Sequence, residues 1–297
     1  EKISGMEELL KFVFLLAFVG FGTKAAVFPM YAWLPAASVA PTPVTALLHA
    51  VAVVNAGAYA VLRVIYYSFG ASFLYGTWAQ TVALLLSCFT ILFGSTMAVR
   101  EQHFKRRLAY STISNLSYML MGAALMTPDG MTGSLSHLVI HGVIKITLFY
   151  CAGAILIKTG KEYVQDLRGY SRIMPATCSI FLLGSIALVG TPPLAGFVSK
   201  WNLLTAASAT GLPMGTVAIV CLIISAILTA IYLFTAALPM YFRPLNADQA
   251  QLAGQKLDPS WMMLVPMGIL CALMIGLGLW SQPLVTFLRN IAAGVIF

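Results

Sequence analysis

Residues 132–157 read TGSLSHLVIHGVIKITLFYCAGAILI. The run exceeds the ~20 residues a helix needs to cross a bilayer, yet it holds two histidines and a lysine. At about 100° per residue a step of four turns only ~40°, so His137, His141 and Lys145 share one helix face and rise ~6 Å per step. A charge at bilayer depth costs at least ~2.5–3.5 kcal/mol on insertion scales, and such residues usually mark an ion path or a water-filled cavity. Imidazoles pass protons between their two nitrogens. Two of them in line with a lysine therefore predict a proton relay rather than ordinary core histidines.

The rest of the chain repeats this apolar pattern. Of 297 residues 60% are hydrophobic and 9% charged, against roughly 25% charged in a soluble domain. Predicted spans are 8–25 with a broken continuation to 38, then 42–68, 80–98, 107–126, 132–157, 174–204, 214–242 and 260–282. The fold class is all-α, a polytopic membrane protein of about eight transmembrane helices. The chain opens on Glu1 rather than Met and reaches its first span within a few residues, so no signal peptide is expected and the chain is expected to be a piece of something longer. Its net charge of +8 forms no stripe suited to nucleic acid. The basic residues Arg100, Lys105, Arg106, Arg107, Lys158, Lys161, Arg168, Arg172, Arg243 and Lys256 fall in alternate loops. That side is cytoplasmic by the positive-inside rule, and the N-terminus lies outside. Cys88, Cys151, Cys178, Cys221 and Cys271 sit in apolar stretches without metal-ligand spacing and read as packing residues.

Lys24 and Lys200 also fall inside apolar stretches. Snorkelling to an interface is the bland explanation, and it suits Lys24 best, since its span boundary is uncertain. Burial disfavours an ammonium, and lysine can release its proton where arginine cannot. The acids offer no partner at depth: Asp129, Glu162, Asp166, Asp248 and Asp258 lie in loops, and Glu7 and Glu8 at the outer edge of the first span. Tyr110, Ser111, Ser114, Asn115 and Tyr118 give the preceding span a polar face that could hold water, although hydroxyls alone also suit helix packing.

The neighbourhoods GFGTK at 20–24 and GFVSK at 196–200 share G-F-x-[ST]-K, and each lies beside an interior proline, Pro29 in one case and Pro192-Pro193 in the other. Proline removes a backbone donor and clashes with the preceding turn, so both helices should be discontinuous at depth. Packing kinks are the alternative. Counting loops, the two run in opposite directions, as in inverted-topology transporters. The expected organisation is 1–68 as the C-terminal part of a first repeat, 69–242 as a second five-helix repeat, and 243–297 as a loop and a last transmembrane helix. The first repeat would lack three helices that precede Glu1.

The run KAAVFPMYAWLPAASVAPTPVTALLH at 24–49 resembles the signature of the antiporter-like subunits of respiratory complex I, of the large subunits of Mrp-type cation/proton antiporters, and of the ion-pumping subunits of membrane-bound hydrogenases. KRRLAYSTISN at 105–115, the 137–145 segment, DLRG at 166–169 and PLAGFVSK at 193–200 extend the resemblance over roughly residues 10–205. It implies a half-channel in each repeat, joined by a mid-membrane polar axis. Lys24, Lys145 and Lys200 would be its lysines, His137 and His141 its connecting histidines, and His49, Asn55 and Lys105 candidate links. Asn55 stands where many members have a further lysine, and the glutamate that pairs with the first lysine would lie upstream of Glu1.

The expected function is proton translocation in a redox-driven, complex I-like assembly in a cell inner membrane or an equivalent energy-coupling membrane. A sodium/proton antiporter subunit and a structural anchor for a redox enzyme are the rivals. The sequence shows no metal cluster, phosphate loop or catalytic triad, so no catalytic residue and no cofactor is assigned to this chain. The resemblance implies other membrane subunits as partners, with iron–sulfur clusters and flavin or nickel–iron centres on partner chains.

Overall fold

The computed structural model describes residues 5–38, 40–211, 213–246 and 254–295. Asp248 lies outside them. The helices are α1 Glu7–Gly22, α2 Trp33–Ala37, α3 Thr42–Ala50, α4 Val53–Arg63, α5 Ala71–Leu74, α6 Trp78–Arg100, α7 Phe104–Ala124, α8 Pro128–Thr159, α9 Pro175–Val189, α10 Ala195–Ala209, α11 Pro213–Phe242, α12 Trp261–Leu279 and α13 Gln282–Ala293. Five described segments are long and apolar enough to cross a membrane unaided: 42–69, 78–100, 128–159, 213–242 and 261–279. The more polar α7 and the interrupted pairs α1–α2 and α9–α10 bring the total to the eight crossings expected.

Local chemistry sets the ends of the central helix. Thr127 accepts from the Gly130 amide at 3.1 Å, Pro128 occupies the first position, and Gly160 closes α8 with φ +68°. At 32 residues and ~1.5 Å per residue α8 outspans the hydrocarbon core. It packs against α3, α7, α9, α10, α12 and α13.

The buried apolar residues form two clusters. Residues 113–124 of α7, 203–207 of α10, 218–222 of α11 and much of α1, α4 and α6 make the first. Phe104 and Leu108 of α7, residues 140–155 of α8, 232–240 of α11, and α9 and α12 make the second. Helices crossing from one to the other carry polar residues at the crossing: Ser95 on α6, Ser111 to Asn115 on α7, His137 on α8, Ser199 and Lys200 on α10, Ser225 and Thr229 on α11. A buried polar layer thus cuts the bundle between two apolar ones.

Four details depart from the sequence expectations. The 42–68 span is broken at Val51–Ala52 and ends in a π-helical turn at Val64–Phe69. The Asn55 amide donates to the Ala50 carbonyl at 2.8 Å, substituting a side chain for a helical bond. Lys105 and Arg107 are not loop charges but buried residues of the first turns of α7. Arg107 donates to the Glu101 and Tyr232 carbonyls and to Thr235, clamping α7 to α11. Asp258 is not idle in its loop: its carboxylate accepts from the amides of Ala176 and Thr177 and from the Thr177 hydroxyl, capping α9 from a distance. Finally, α13 had no counterpart in the reading. It is amphipathic, with Val285, Leu288 and Ala292 buried and Phe287 exposed.

Candidate functional site

Both proline breaks interrupt their helices. The backbone leaves helical geometry between Gly22 and Trp33, where Ala26 adopts φ +58°, and between Val189 and Ala195, where Gly190 adopts φ +96°. The Phe28–Pro29 and Pro192–Pro193 peptide bonds are both cis.

A helix end leaves its last carbonyls without intrahelical donors. At the second break Lys200 supplies them, its Nζ donating to Leu188 at 2.8 Å and to Val189 at 2.9 Å. A cation at a helix C-terminus also suits the helix dipole. Close approach is possible because Gly196 has no side chain: a Cβ there would stand 1.8 Å from the Ala187 carbonyl oxygen. Lys200 also lies over the Tyr118 ring, 5.4 Å from its centroid.

Lys145 is completely buried. Its Nζ donates to the Leu108 carbonyl at 2.9 Å and to Ser111 Oγ at 2.6 Å. The face predicted for α8 forms, with the His137 and His141 rings stacked at 5.8 Å. His137 Nδ1 pairs with Ser199 Oγ at 2.9 Å, which joins the stripe to α10 one residue from Lys200.

On the other flank, His49 of α3 stacks on Phe149 of α8 at 4.9 Å. His141 has Lys145, His137, His49 and Lys200 as electrostatic neighbours. The α3–α4 break reaches α8 at Gly142, where a Cβ would stand 3.1 Å from the Ala50 oxygen and 3.7 Å from the Asn55 amide nitrogen. One polar run therefore extends from Asn55 and His49 through His141 and His137 to Ser199 and Lys200, with Lys145 beside it.

The expectation fails for Lys24, which is exposed rather than buried. It borders an open groove of ≈ 540 Å³ lined by Gly20, Phe21, Trp33, Val53 and Ala60 among others. It does touch the polar layer's edge, since a Cβ on Gly57 would stand 2.7 Å from the Lys24 Cβ, two residues from Asn55. The Thr23 carbonyl before it is satisfied by Trp33 Nε1 at 2.9 Å. Lys105 is buried at the foot of α7 and donates to the Ala40 carbonyl at 3.4 Å, away from the run.

Sequence reasoning missed part of the layer. Ser225, Thr229 and Tyr232 of α11 are buried, and Ser225 and Tyr232 bond to Tyr118 and Ser111 of α7. Their spacing of four and three within a very apolar span was the available signal. Among the described residues no three His, Cys, Asp or Glu side chains form a metal cluster.

The family described as NADH:quinone oxidoreductase/Mrp antiporter, transmembrane, matches residues 3–229. The chain belongs to this family. Within the NADH:quinone oxidoreductase/Mrp antiporter family, subunit N of the NADH-quinone oxidoreductase of Desulforudis audaxviator is 32% identical over 289 residues, covering 94% of this chain and 56% of that protein. Among solved structures, a chain of respiratory complex I from Thermus thermophilus superposes with TM-score 0.79 at 25% identity, over 94% of this chain and 57% of that one. A chain of the Mrp complex from Dietzia sp. shares the fold, with TM-score 0.83 at 24% identity over 95% of this chain and 59% of that one. The chain spans little more than half the length of these relatives. Its multi-pass, membrane-embedded architecture is that of the family.

Proposed function

We propose that the chain is a proton-translocating membrane subunit of a complex I-like, redox-driven assembly. The observation that carries this is the line of buried polar side chains from Asn55 and His49 through His141 and His137 to Ser199 and Lys200, set between two apolar clusters. Both ring nitrogens of His49 and of His141, and Nε2 of His137, have no protein partner among the described residues. Buried polar groups are as a rule hydrogen-bonded, to ordered water where no protein group is in reach. Imidazoles linked by water can exchange protons, and the two lysines at the run can load and release them.

In this reading a partner subunit with iron–sulfur and flavin or nickel–iron centres changes the charge near Lys24, whose exposed side chain is where the wire is accessible to another segment. A proton then moves through His49, Asn55 and the histidine stripe with Lys145 and reaches Lys200. Each translocated charge works against ~2.3 kcal/mol per 100 mV of membrane potential. The two lysines of the repeated motif support inverted halves 1–68 and 69–242, with 243–297 as an appendage. Lys24 lies within its break, two residues past the end of α1, and Lys200 lies in α10, after its own. The basic loops would be cytoplasmic, in a cell inner membrane or its equivalent.

Sodium/proton exchange is the second reading, favoured by the family's inclusion of Mrp antiporters. Sodium prefers oxygen ligands that include a carboxylate, whereas the polar run offers only nitrogen, hydroxyl and amide groups among the described residues. A rate that depends on sodium at fixed pH would establish this reading. A purely structural anchor predicts that lysine replacements impair assembly rather than transport. Reconstituted vesicles decide the main proposal: with the complex assembled, Lys145→Ala and Lys145→Arg should abolish proton uptake, and full-rate pumping by either would refute it.

A further inference from the structure

A second line of polar groups leaves Lys145 on the side away from the histidines. Lys145 donates to Ser111 Oγ at 2.6 Å, Ser111 Oγ lies 2.7 Å from Tyr232 Oη, and Tyr232 donates to Thr229 Oγ1 at 3.4 Å. Thr229 in turn donates to the Ser225 carbonyl at 2.7 Å. From the Lys200 end, the ring beneath the ammonium is Tyr118, whose hydroxyl donates to Ser225 Oγ at 2.7 Å and has Thr229 within its reach as well. Ser225 Oγ is also bonded to Ser95 at 2.5 Å and to Ser114 at 3.2 Å. All seven residues from Ser95 to Tyr232 are buried.

Packing alone would be served by hydroxyls bonded to their own helix, as Ser87 and Thr112 are. Here the bonds from Lys145 to Ser111, from Ser111 to Tyr232 and from Tyr118 to Ser225 link α8, α7 and α11, and the line begins at Lys145 and ends at the ring beneath Lys200. Every hydroxyl can give one proton and accept another. From Lys145 the donors point one way as far as Thr229, where the direction is lost to a backbone carbonyl. Turning the Thr229 hydroxyl from Ser225 O toward Tyr118 would restore it.

We propose that Ser111, Tyr232, Thr229 and Tyr118 form a second proton route between Lys145 and Lys200, parallel to the histidine stripe and opened when the Thr229 hydroxyl turns toward Tyr118 and the Tyr118 hydroxyl turns from Ser225 toward Lys200. The inference rests on the proton-translocating reading above. One N–H bond of the Lys145 ammonium breaks as Ser111 takes that proton. Each hydroxyl passes its own proton on, and Tyr118 delivers one through a water to the neutral amine of Lys200. No electron moves, and each hydroxyl ends with the proton count it began with.

The test uses the intact assembly in vesicles, with the amount of assembled complex measured for each variant. His141→Ala interrupts the histidine stripe and should leave a reduced but measurable proton uptake. In that background Thr229→Val, which keeps the side-chain shape but removes the hydroxyl, should cut the residual rate by about tenfold or more. Thr229→Ser should retain it, and Tyr232→Phe should behave like Thr229→Val. With His141 in place, Thr229→Val should slow uptake by no more than about threefold. The proposal is overturned if His141→Ala alone abolishes uptake, or if Thr229→Val and Tyr232→Phe leave its residual rate unchanged. Failure of the parent reading is seen separately, as full-rate pumping by Lys145→Ala with His141 intact.

Discussion

Lys200 Nζ lies 2.8 Å from the carbonyl oxygen of Leu188, across the break between α9 and α10. The bond makes Lys200 a structural donor in addition to the proton carrier proposed above, and two substitutions separate the roles. Lys200→Met leaves the Leu188 and Val189 carbonyls unpaired and should cost about 1–3 kcal/mol as well as transport. Lys200→Arg can still donate but holds its proton, so thermal unfolding of the solubilised protein should stay near wild type while proton uptake is lost. An arginine variant that pumps normally would show that Lys200 does not exchange protons.

The matched glycines of the repeated motif should respond oppositely. Gly20 has nothing within 4 Å of an added Cβ, whereas one on Gly196 would stand 1.8 Å from the Ala187 oxygen. Gly20→Ala, within α1, is expected to be neutral or to stabilise by up to ~1 kcal/mol. Gly196→Ala forces a backbone shift and should destabilise by about 1–3 kcal/mol or more, with lowered uptake as Lys200 is displaced. Equal melting temperatures for the two variants would contradict the packing described.

Lys24 is exposed and all five native cysteines are buried. A cysteine placed there should therefore report alone. Lys24→Cys in the isolated chain should react with a membrane-impermeant maleimide, while the unsubstituted chain remains unlabelled under the same conditions. Labelling no faster than that of the unsubstituted chain would mean that Lys24 is covered after all.

Asp258 accepts from two backbone amides at the start of α9, at 3.2 and 3.0 Å. Asp258→Ala should cost about 0.5–2 kcal/mol, the usual value of a helix cap. The loss should appear in thermal unfolding and leave uptake per assembled complex unchanged, because Lys200 engages the opposite end of the helix.

How far the sequence could be read depended on contrast. Lys145, His137 and His141 stand out because their surroundings are apolar, and Pro29 and the Pro192-Pro193 pair announce their own helix breaks. The α3–α4 break carries no such mark. It contains neither Gly nor Pro and arises from the competition of the Asn55 amide for the Ala50 carbonyl, a contact that propensity does not encode. Lys105 and Arg107 read as loop charges because the sequence puts the start of this span at 107, three residues late and at the end of the buried first turn of α7. The exposure of Lys24 depends on which faces other segments cover, and no local pattern records that. The hydroxyls of α11 were passed over because Ser, Thr and Tyr in an apolar helix most often serve packing, and only their meeting with Ser111 and Tyr118 gives them another meaning.

Both buried lysines hold two acceptors, Leu108 and Ser111 for Lys145, Leu188 and Val189 for Lys200. An ammonium has three hydrogens and a neutral amine two. Lys200 commits two to backbone carbonyls in either state, so only its third hydrogen can travel, and that departure leaves both anchors made. Lys145 differs, because one of its two acceptors is the Ser111 hydroxyl, which can itself take the proton along a bond already formed. In the proposed translocation Lys200 would discharge and recharge without rebuilding the helix end it holds, whereas the discharge of Lys145 is tied to the orientation of Ser111.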